Sequence, residues 1–427
     1  MKKHFLLISL AAVLAVSGYA IEANPFGHLG ALYHQGFGGL PTFNKNGKEV
    51  QQAYADVSAR VGLDIGLNST MSIGIGAWGV YPFYSTGSQD NYVGDRAIPK
   101  NVDVSDAYFR YDSKYLSFVL GRFDIGQFYF GRDGKNYTGV DWIYGNVQGG
   151  ALNVGSKAVS FWAYWRNAQL GAGQAYNRMG YELSSFNTYQ NDKNTSKIGE
   201  LASAGLDFDF GVVKLSPFVA YLTDVNTAVD TIKNGTGTDD ILNAGAKAQI
   251  ELGSENLKSI TTLRGVYGID NIVGKAESTN GITLWVDEEL RFDDIWKLGV
   301  GYISQKNDNH LLNFGDRGRF YGYRGGLSGA GWGSFLGYGN TWYVFGGIEA
   351  KRIALDLLYS GGDYEEISAV GSIKLWTNND EMYLSVGAGY VGTAKIGADS
   401  TLGNLLQNAS NGDKWSHSVL GFVKFGF

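Results

Sequence analysis

Two stretches of this sequence combine basic, acidic and aromatic side chains closely enough to bind a charged molecule. Residues 124–147 contain six aromatic residues together with Arg132, Asp133, Lys135 and Asp141. Residues 304–340 contain, among tyrosines and glycines, Arg317, Arg319 and Arg324. A guanidinium group binds a carboxylate or phosphate through two parallel hydrogen bonds. These stretches therefore predict anion recognition, with a surface that contacts only water or lipopolysaccharide as the alternative.

Signatures of catalysis are weak throughout the chain. GIGAWG at 74–79 and GAGYVG at 387–392 match a dinucleotide-binding fingerprint, but both lie inside strand-like patterns and neither opens a helix. The histidines beyond residue 20 lack the spacing of a metal site, and no nucleophile pattern occurs. The acidic pairs at 239–240 and 293–294 could hold a divalent cation, although solvated turns have the same composition. We predict no enzyme activity, cofactor or metal centre.

The start of the chain and its composition indicate export from the cytoplasm. Residues 1–20 combine Lys2 and Lys3 with an apolar run and small residues, which predicts a signal peptide removed after about Ala20. No cysteine is present, so the fold relies on neither disulfides nor thiolate metal sites. The formal charge is −6, and it becomes −8 once the two N-terminal lysines are removed. This acidic balance argues against nucleic acid as a partner.

From residue 53 onward, apolar and polar residues alternate with a period of two. Residues 53–67 alternate without a break and, after a turn, residues 71–81 continue the pattern. A helix would scatter these residues around its axis, so the pattern predicts a β-hairpin. The same criterion predicts eighteen strands, at residues 28–34, 53–67, 70–82, 103–111, 115–123, 148–156, 158–166, 199–210, 212–222, 241–252, 258–268, 282–292, 296–303, 341–350, 352–359, 366–376, 381–391 and 414–427.

The predicted connections alternate in length, which favours a membrane barrel over a soluble sandwich. Turns of one to five residues alternate with connections of six to 37 residues. Outer-membrane barrels have short periplasmic turns and long extracellular loops, an alternation that is not expected of a sandwich. We therefore predict one all-β, transmembrane antiparallel barrel of about eighteen strands over residues 21–427. Because porins narrow a wide lumen with inward loops, residues 124–147 and 304–340 are expected to fold into it.

Charged residues provide a check on the predicted register. A cation on the lipid-facing side costs about 2 to 4 kcal/mol at mid-membrane, so basic residues should share the water-facing parity. Seven of them do, namely Arg60, Arg110, Arg166, Lys214, Lys247, Arg264 and Arg291. Glu288 is an exception, because it shares the parity of Leu284, Val286 and Leu290. Either a bulge near Asp287 or a contact between subunits would hide its carboxylate.

The final stretch, residues 416–427, is a strand-like segment that ends on an aromatic residue. Apolar or small residues occupy every second position, at Val419, Gly421, Val423 and Phe425. This segment resembles the insertion signal of bacterial outer-membrane barrels, through which the barrel-assembly machinery is an expected partner. Other aromatic residues gather near strand ends, including Tyr81, Trp296, Trp342, Tyr343 and Trp376. Rings at such positions form girdles at the membrane interfaces.

Four features together resemble one known family: the predicted signal peptide, HLGALYHQGFGGL at 28–40, GRFDIGQFYFGRDG at 121–134 and the terminal aromatic strand. They look like the Hof-type outer-membrane family proteins of the epsilon-proteobacteria, which are similar to OprD-type porins. The resemblance implies an eighteen-stranded barrel, a third loop in the lumen and a basic stripe that guides carboxylate-bearing solutes. In this sequence the stripe would consist of Arg60, Arg110, Arg122, Arg132, Arg166, Arg317 and Arg319. Asp56 and Asp64 beside Arg60 depart from a purely basic stripe.

These observations predict a porin for passive diffusion of small hydrophilic solutes, such as carboxylates or amino acids, across the bacterial outer membrane. Its constriction would be lined by Arg60, Arg110, Arg122, Arg132, Asp133, Lys135, Arg166, Arg317, Arg319 and Arg324. Further expected partners are outer-membrane lipid, lipopolysaccharide and, in a homo-oligomer, other copies of the chain. The alternative is a surface adhesin or structural barrel with a plugged lumen.

Overall fold

The computed structural model describes residues 22–38, 42–45, 48–51, 53–85, 101–124, 146–169, 201–225, 239–272, 279–306, 320, 339–378, 382–395 and 415–427. Among these residues every regular element is a β-strand, and no helix has the length and apolar character needed to cross a membrane. The strands are β1 (Glu22–Gly38), β2 (Thr42–Lys45), β3 (Lys48–Gln51), β4 (Ala53–Gly66), β5 (Met71–Ser85), β6 (Asn101–Asp112), β7 (Leu116–Asp124), β8 (Asn146–Gly155), β9 (Val159–Gln169), β10 (Leu201–Asp209), β11 (Val213–Val225), β12 (Asp239–Ser254), β13 (Leu257–Ile272), β14 (Thr279–Phe292), β15 (Trp296–Lys306), β16 (Asn340–Glu349), β17 (Ile353–Gly362), β18 (Glu365–Asn378), β19 (Met382–Ala394) and β20 (Ser416–Gly426).

Eighteen of these strands form one antiparallel sheet that closes into a barrel. From β4 to β20 each strand pairs with the next along the chain, and β1 pairs with both β4 and β20. Gly27 and Phe427 exchange two backbone hydrogen bonds, of 2.7 and 3.1 Å, beside the closing pair. Closure removes the edges that an open sheet would expose. The predicted eighteen-stranded barrel is confirmed, and β2 and β3 form a separate hairpin.

The observed strand bounds follow the predicted ones, with the largest shift at β1. This strand begins at Glu22 rather than at residue 28, although Pro25 interrupts the alternating pattern. The register of β1 with β20 begins only at His28, so beside Pro25 the sheet continues on the β4 side alone. The missing N–H of Pro25 therefore costs no hydrogen bond toward β20. The β2–β3 hairpin is absent from the prediction because four-residue strands carry too little alternation.

The connections define two ends of the barrel, which we name the turn end and the loop end. At the turn end, described connections such as 67–70, 113–115 and 293–295 have two to four residues. The loop end carries the long connections, including 125–145 and 307–339. One loop-end connection is shorter than the predicted six residues, because β17 and β18 both extend beyond their predicted ends. Only Asp363 and Tyr364 join these two strands.

The two faces of the barrel wall differ in chemistry. Outward side chains are apolar and exposed, with Val102 at 74% and Leu298 at 59%. Inward side chains include charged groups that are covered, with Arg60 at 6% and both Asp106 and Asp287 at 0%. The alternation of side chains along each strand produces the two faces. Large apolar side chains such as Trp162 and Phe422 are buried on the inner face as well, so the wall differs from that of a soluble protein in the apolar side chains that its outer face exposes.

Glu288 lies on the apolar outer face, and the predicted bulge near Asp287 is wrong. Strand β14 pairs with β13 and β15 residue by residue past this position, without a register shift. The Glu288 carboxylate accepts hydrogen bonds from Ser259 Oγ and Thr261 Oγ1 on β13, each at 2.5 Å. One hydroxyl group serves each carboxylate oxygen, which lowers the cost of removing the carboxylate from water. The alternative, a contact between subunits, stays a prediction.

Candidate pore wall

The inner face gathers the basic residues whose parity predicts contact with water. Each alternates with outward neighbours in its strand, as Lys214 does between the exposed Val213 and Leu215. The residues on this face are Arg60, Arg110, Arg166, Lys214, Lys247, Arg264 and Arg291. Carboxylates occupy the same face, and they form two clusters of paired charges with these cations.

The first cluster, which we name the Arg60 cluster, consists of Arg60, Asp106, Asp124, Ser105 and Asn146. Arg60 Nε and Nη2 donate to the two carboxylate oxygens of Asp106 at 3.0 and 2.6 Å, as a bidentate pair. Arg60 Nη1 donates to Asp124 Oδ2 at 3.1 Å. Asp106 also accepts from Ser105 Oγ at 2.6 Å and from Asn146 Nδ2 at 3.3 Å. Each buried charge therefore depends on the others for its hydrogen bonds.

Two local features of the sheet make room for the Arg60 cluster. Gly76 on β5 lies opposite Asp106, and a Cβ at this position would come within 2.8 Å of Asp106 Oδ2. Strand β6 also contains a bulge, because it has two residues between Asp103 and Asp106 where β5 has one between Gly76 and Trp78. A bulge re-aims the side chains beside it, and here both Ser105 and Asp106 are 0% exposed.

The second cluster, which we name the Arg264 cluster, consists of Arg264, Asp287, Trp285 and Tyr343. Arg264 Nη1 donates to Asp287 Oδ2 at 2.6 Å. Its guanidinium carbon lies 4.3 Å from the centroid of the Trp285 ring, within the range of a cation–π contact. The Tyr343 hydroxyl accepts a hydrogen bond from Trp285 Nε1 and donates one to Asp287 Oδ2 at 3.3 Å. The aromatic residues thus hold both members of the ion pair.

The two clusters face each other across the lumen at similar depth. Eight strands separate β4 from β13 in either direction around the closed sheet, so the strands that carry Arg60 and Arg264 are diametrically opposed. Arg60 lies six residues from the last residue of β4, and Arg264 lies seven residues from the first residue of β13. Both of those strand ends belong to the turn end. The middle of the wall therefore presents paired charges on two opposite sides.

A chain of ion pairs continues from the Arg264 cluster toward the turn end. Arg291 contacts Glu289 on its own strand and Glu349 Oε2 on β16, the latter at 3.1 Å. Lys297 Nζ lies 2.5 Å from both Glu349 Oε1 and Asp356 Oδ1. Three carboxylates therefore surround two cations in this group. The group adds no excess positive charge to the wall.

One residue of the 307–339 connection is described, and it lies against the inner face. Phe320 is 1% exposed, and its ring centroid lies 5.1 Å from that of Tyr343 and 5.8 Å from that of Tyr364. Both contacts have the edge-to-face geometry that aromatic pairs prefer. Tyr343 belongs to this inward cluster rather than to the aromatic girdle predicted for it. The rest of the connection, 307–319 and 321–338, lies outside the described residues.

The residues predicted to line the constriction fall into separate groups. Arg60 and Arg166 are buried on the inner face, and Arg110 lies near the turn end with Nη2 2.6 Å from Asp112 Oδ2. The others lie outside the described residues, namely Arg132, Asp133, Lys135, Arg317, Arg319 and Arg324. Apart from Arg122, the constriction residues stay a prediction.

Arg122 belongs to the opposite face from Arg60. It shares the parity of Leu120, which is exposed on the outer face, and its register partner on β6 is the exposed Ala107. Its guanidinium donates to Gln148 Oε1 and to the Val104 carbonyl oxygen, each at 3.0 Å. This register corrects the prediction, implied by the family resemblance, that Arg122 lines the lumen.

The alternating pattern did not lead to the acidic residues of the two clusters, Asp106, Asp124 and Asp287. The acidic neighbours expected beside Arg60 were Asp56 and Asp64, but Asp64 accepts a hydrogen bond from the Tyr108 hydroxyl at 2.6 Å instead. The side chain of Asp56 is outside the described set. Parity was the available signal, because Asp106 alternates in step with Arg110 and so shares its inward face.

Comparison with known proteins identifies the fold. No protein-family model and no curated protein matches the sequence. The chain is similar to the outer membrane protein OpdK from Pseudomonas aeruginosa, with 11% identity, a TM-score of 0.59 and coverage of 95% of this chain and 98% of that chain. Acinetobacter baumannii OccAB4 gives the same four values. A BenF-like porin from Pseudomonas fluorescens Pf-5 gives 10% identity, a TM-score of 0.58 and coverage of 95% and 99%. At these identities the similarity shows a shared barrel fold.

Proposed function

We propose that this chain is an outer-membrane porin through which small hydrophilic solutes diffuse passively. The polarity of the wall carries the proposal, because exposed apolar side chains cover the outer face, whereas buried charged groups lie on the inner face beside aromatic and aliphatic side chains. Moving one large apolar side chain out of water is worth about 1.5 to 3 kcal/mol. A barrel that exposes many of them is therefore stable in lipid, and its polar inner face then surrounds an aqueous path.

Aromatic rings at both ends of the outer face support a position across a bilayer. Toward the turn end, the ring of Phe118 lies 5.9 Å from that of Phe109 and 5.5 Å from that of Tyr111. Toward the loop end, the rings of Trp342 and Tyr359 lie 5.6 Å apart. Membrane barrels carry such girdles at both interfaces, on either side of an apolar band.

Solutes that carry a carboxylate, amino acids included, are part of this proposal. Residues 124–147 and 304–340 combine basic and acidic side chains, such as Arg132 and Asp133, so a zwitterion can meet both signs of charge there. In this proposal residues 124–147 and 304–340 narrow the lumen, and the position of Phe320 supports the second of these.

The cellular setting is part of the same proposal. Residues 1–20, outside the described residues, act as a signal peptide, and β20 is the strand that the barrel-assembly machinery binds. Membrane lipid and lipopolysaccharide surround the outer face, where Glu288 marks a contact in a homo-oligomer. The finer resemblance to Hof-type proteins of the epsilon-proteobacteria rests on residues 28–40 and 121–134.

Electrical conductance across a planar lipid bilayer tests the channel. Protein refolded in detergent should insert and give stepwise current increases in potassium chloride. The reversal potential in a salt gradient should show weak charge preference, because cations and carboxylates of the described wall are paired. Folded protein with a β-rich far-ultraviolet spectrum and no current would reject the porin. Such a result would favour the adhesin or structural barrel.

Substitution of Phe320 tests whether the 307–339 connection narrows the lumen. Phe320→Ala should raise the single-channel conductance, because the ring that packs against Tyr343 and Tyr364 is lost. Phe292→Ala is a matched control, since Phe292 is an exposed aromatic residue of the outer face. If both variants conduct like the unmodified protein, this connection does not determine the width of the lumen. That result would not contradict the porin proposal.

A further inference from the structure

The Arg60 cluster ties both ends of one connection to a single ion pair. Asp124 is the last residue of β7 and Asn146 is the first of β8, so the two bound residues 125–145. Asp124 accepts a hydrogen bond from Arg60, and Asn146 donates to Asp106 and, at 2.9 Å, to the Ser105 carbonyl oxygen. Arg60 on β4 therefore contacts one end of the connection, and Ser105 and Asp106 on β6 contact the other.

Packing around these contacts leaves little freedom at either end of the connection. Asp124 and Asn146 are register partners, and so are Phe123 and Val147, both of which are 0% exposed. On the other side of the guanidinium, the ring of Phe26 lies 5.2 Å from the Arg60 Cζ atom. Arg60 is therefore held by two carboxylates and one aromatic ring.

Arg60 has little left with which to bind a passing anion. Its Nε, Nη1 and Nη2 atoms each donate to a carboxylate, and the side chain is 7% exposed. A solute carboxylate would have to displace Asp106 or Asp124, and it would gain bonds of the same kind as those that it broke. The arrangement therefore favours a structural use of this guanidinium over solute binding.

We infer that Arg60 and Asp106 are positioning residues that fix where the 125–145 connection leaves the wall, and so keep the channel in one conductance state. The inference rests on the proposed porin function. It gives Arg60 a different part from the anion-guiding one that the family resemblance implies. Charge-assisted hydrogen bonds are strong and directional, which suits them to fixing the path of a chain.

Single-channel recording of Arg60→Lys, Arg60→Gln and Asp106→Asn tests the inference. Each change breaks the bidentate pair, so each should raise the fraction of time spent in secondary conductance states about tenfold or more. The reversal potential in a salt gradient should stay close to that of the unmodified channel. If Arg60 attracts anions instead, Arg60→Lys would behave normally, while Arg60→Gln and Asp106→Asn would shift the reversal potential in opposite directions. That pattern would overturn the inference.

Two further variants separate positioning from misfolding. Asp124→Asn keeps the Arg60–Asp106 pair and weakens one end of the connection, so it should give an intermediate rise in secondary states. Lys258→Gln is the matched control, because it removes a cation that is paired with Asp294 at the turn end and is not among the predicted constriction residues. It should conduct steadily. Steady current in every variant would reject the inference alone, whereas no current from the unmodified protein would reject the porin as well.

Discussion

The Arg60 cluster and the Arg264 cluster contain the same core and differ in what they join. In each, an arginine pairs with a fully buried aspartate. The guanidinium group of the arginine lies over an aromatic ring, which is Phe26 for Arg60 and Trp285 for Arg264. The Arg60 cluster extends through hydrogen bonds to both ends of the 125–145 connection. The Arg264 cluster extends through Tyr343 to the ring of Phe320 in the 307–339 connection.

This difference shows two physical ways of attaching a connection to a barrel wall. Hydrogen bonds between charged groups are directional, and removal of one partner leaves the other buried without it. Ring packing is spread over many atoms and depends on volume more than on direction. The Arg60 side should therefore respond to isosteric changes that alter charge, and the Arg264 side should respond more to changes that alter side-chain volume.

The largest effect should come from removal of either aspartate. Asp106→Ala and Asp287→Ala each take a carboxylate from a covered arginine, which typically costs about 3 to 5 kcal/mol in the free energy of unfolding. The two costs should be similar, because Asp106→Ala also loses the bonds from Ser105 and Asn146 but leaves Arg60 its contact with Asp124, whereas Asp287→Ala also loses the bond from Tyr343. Urea unfolding in lipid vesicles, followed by tryptophan fluorescence, measures both values. Losses as small as those of an exposed ion pair would show that the clusters do not contribute as described.

A methyl group at Gly76 should have the next largest effect. Gly76→Ala brings a Cβ to 2.8 Å from Asp106 Oδ2, so the Arg60 cluster must shift, at a cost of about 1 to 3 kcal/mol. Gly265→Ala beside the Arg264 cluster is the control, because its Cβ would meet Leu284 at an ordinary 3.6 Å. The same unfolding assay compares them. Equal costs at the two positions would contradict the tight fit at Gly76.

Removal of one hydroxyl group from each cluster should have a smaller effect. Tyr343→Phe removes the group between Trp285 Nε1 and Asp287, and Ser105→Ala removes a donor to Asp106. Each loss should cost about 1 kcal/mol, the usual net value of one hydrogen bond. Tyr343→Phe should cost more, because the indole N–H loses its acceptor. A larger cost for Ser105→Ala would reverse this comparison.

The exposed pair Arg110–Asp112 should show the smallest effect. Its two side chains are 38% and 50% exposed, so Arg110→Ala should cost at most about 1 kcal/mol. Added salt should remove much of this difference, because screening acts on exposed charges. Unfolding measured at low and high salt tests the expectation. An effect as large as that of Asp106→Ala would mean that burial does not distinguish these pairs.

The strands were predictable because a closed barrel imposes one apolar face on each of them. A period of two is then visible along the whole wall, and β4 is found within one residue of its predicted end. The same rule groups Arg122 with Phe118 and Leu120, but it fails at the end of β7, where Asp124 shares their parity and yet contacts the buried Arg60. The family resemblance, and not the alternation, led to the wrong face for Arg122.

The contacts between strands could not be predicted in the same way. Arg60 and Asp106 are 46 residues apart, and their contact crosses β5 at Gly76 beside a bulge in β6. Alternation identifies the face of each side chain but not its height relative to residues on other strands. The position of Phe320 was harder still to predict, because it follows from tertiary packing of a connection that has no periodic pattern.

The junction between β1 and β20 has a consequence for the order of assembly. Its register partners, such as His28 and Gly426, are about 400 residues apart in sequence, whereas most other neighbours meet through a nearby reversal of the chain. Bringing such distant segments together carries a larger entropic cost than closing a short hairpin. We expect β1 and β20 to pair last during folding. A partly assembled barrel should therefore remain open between these two strands.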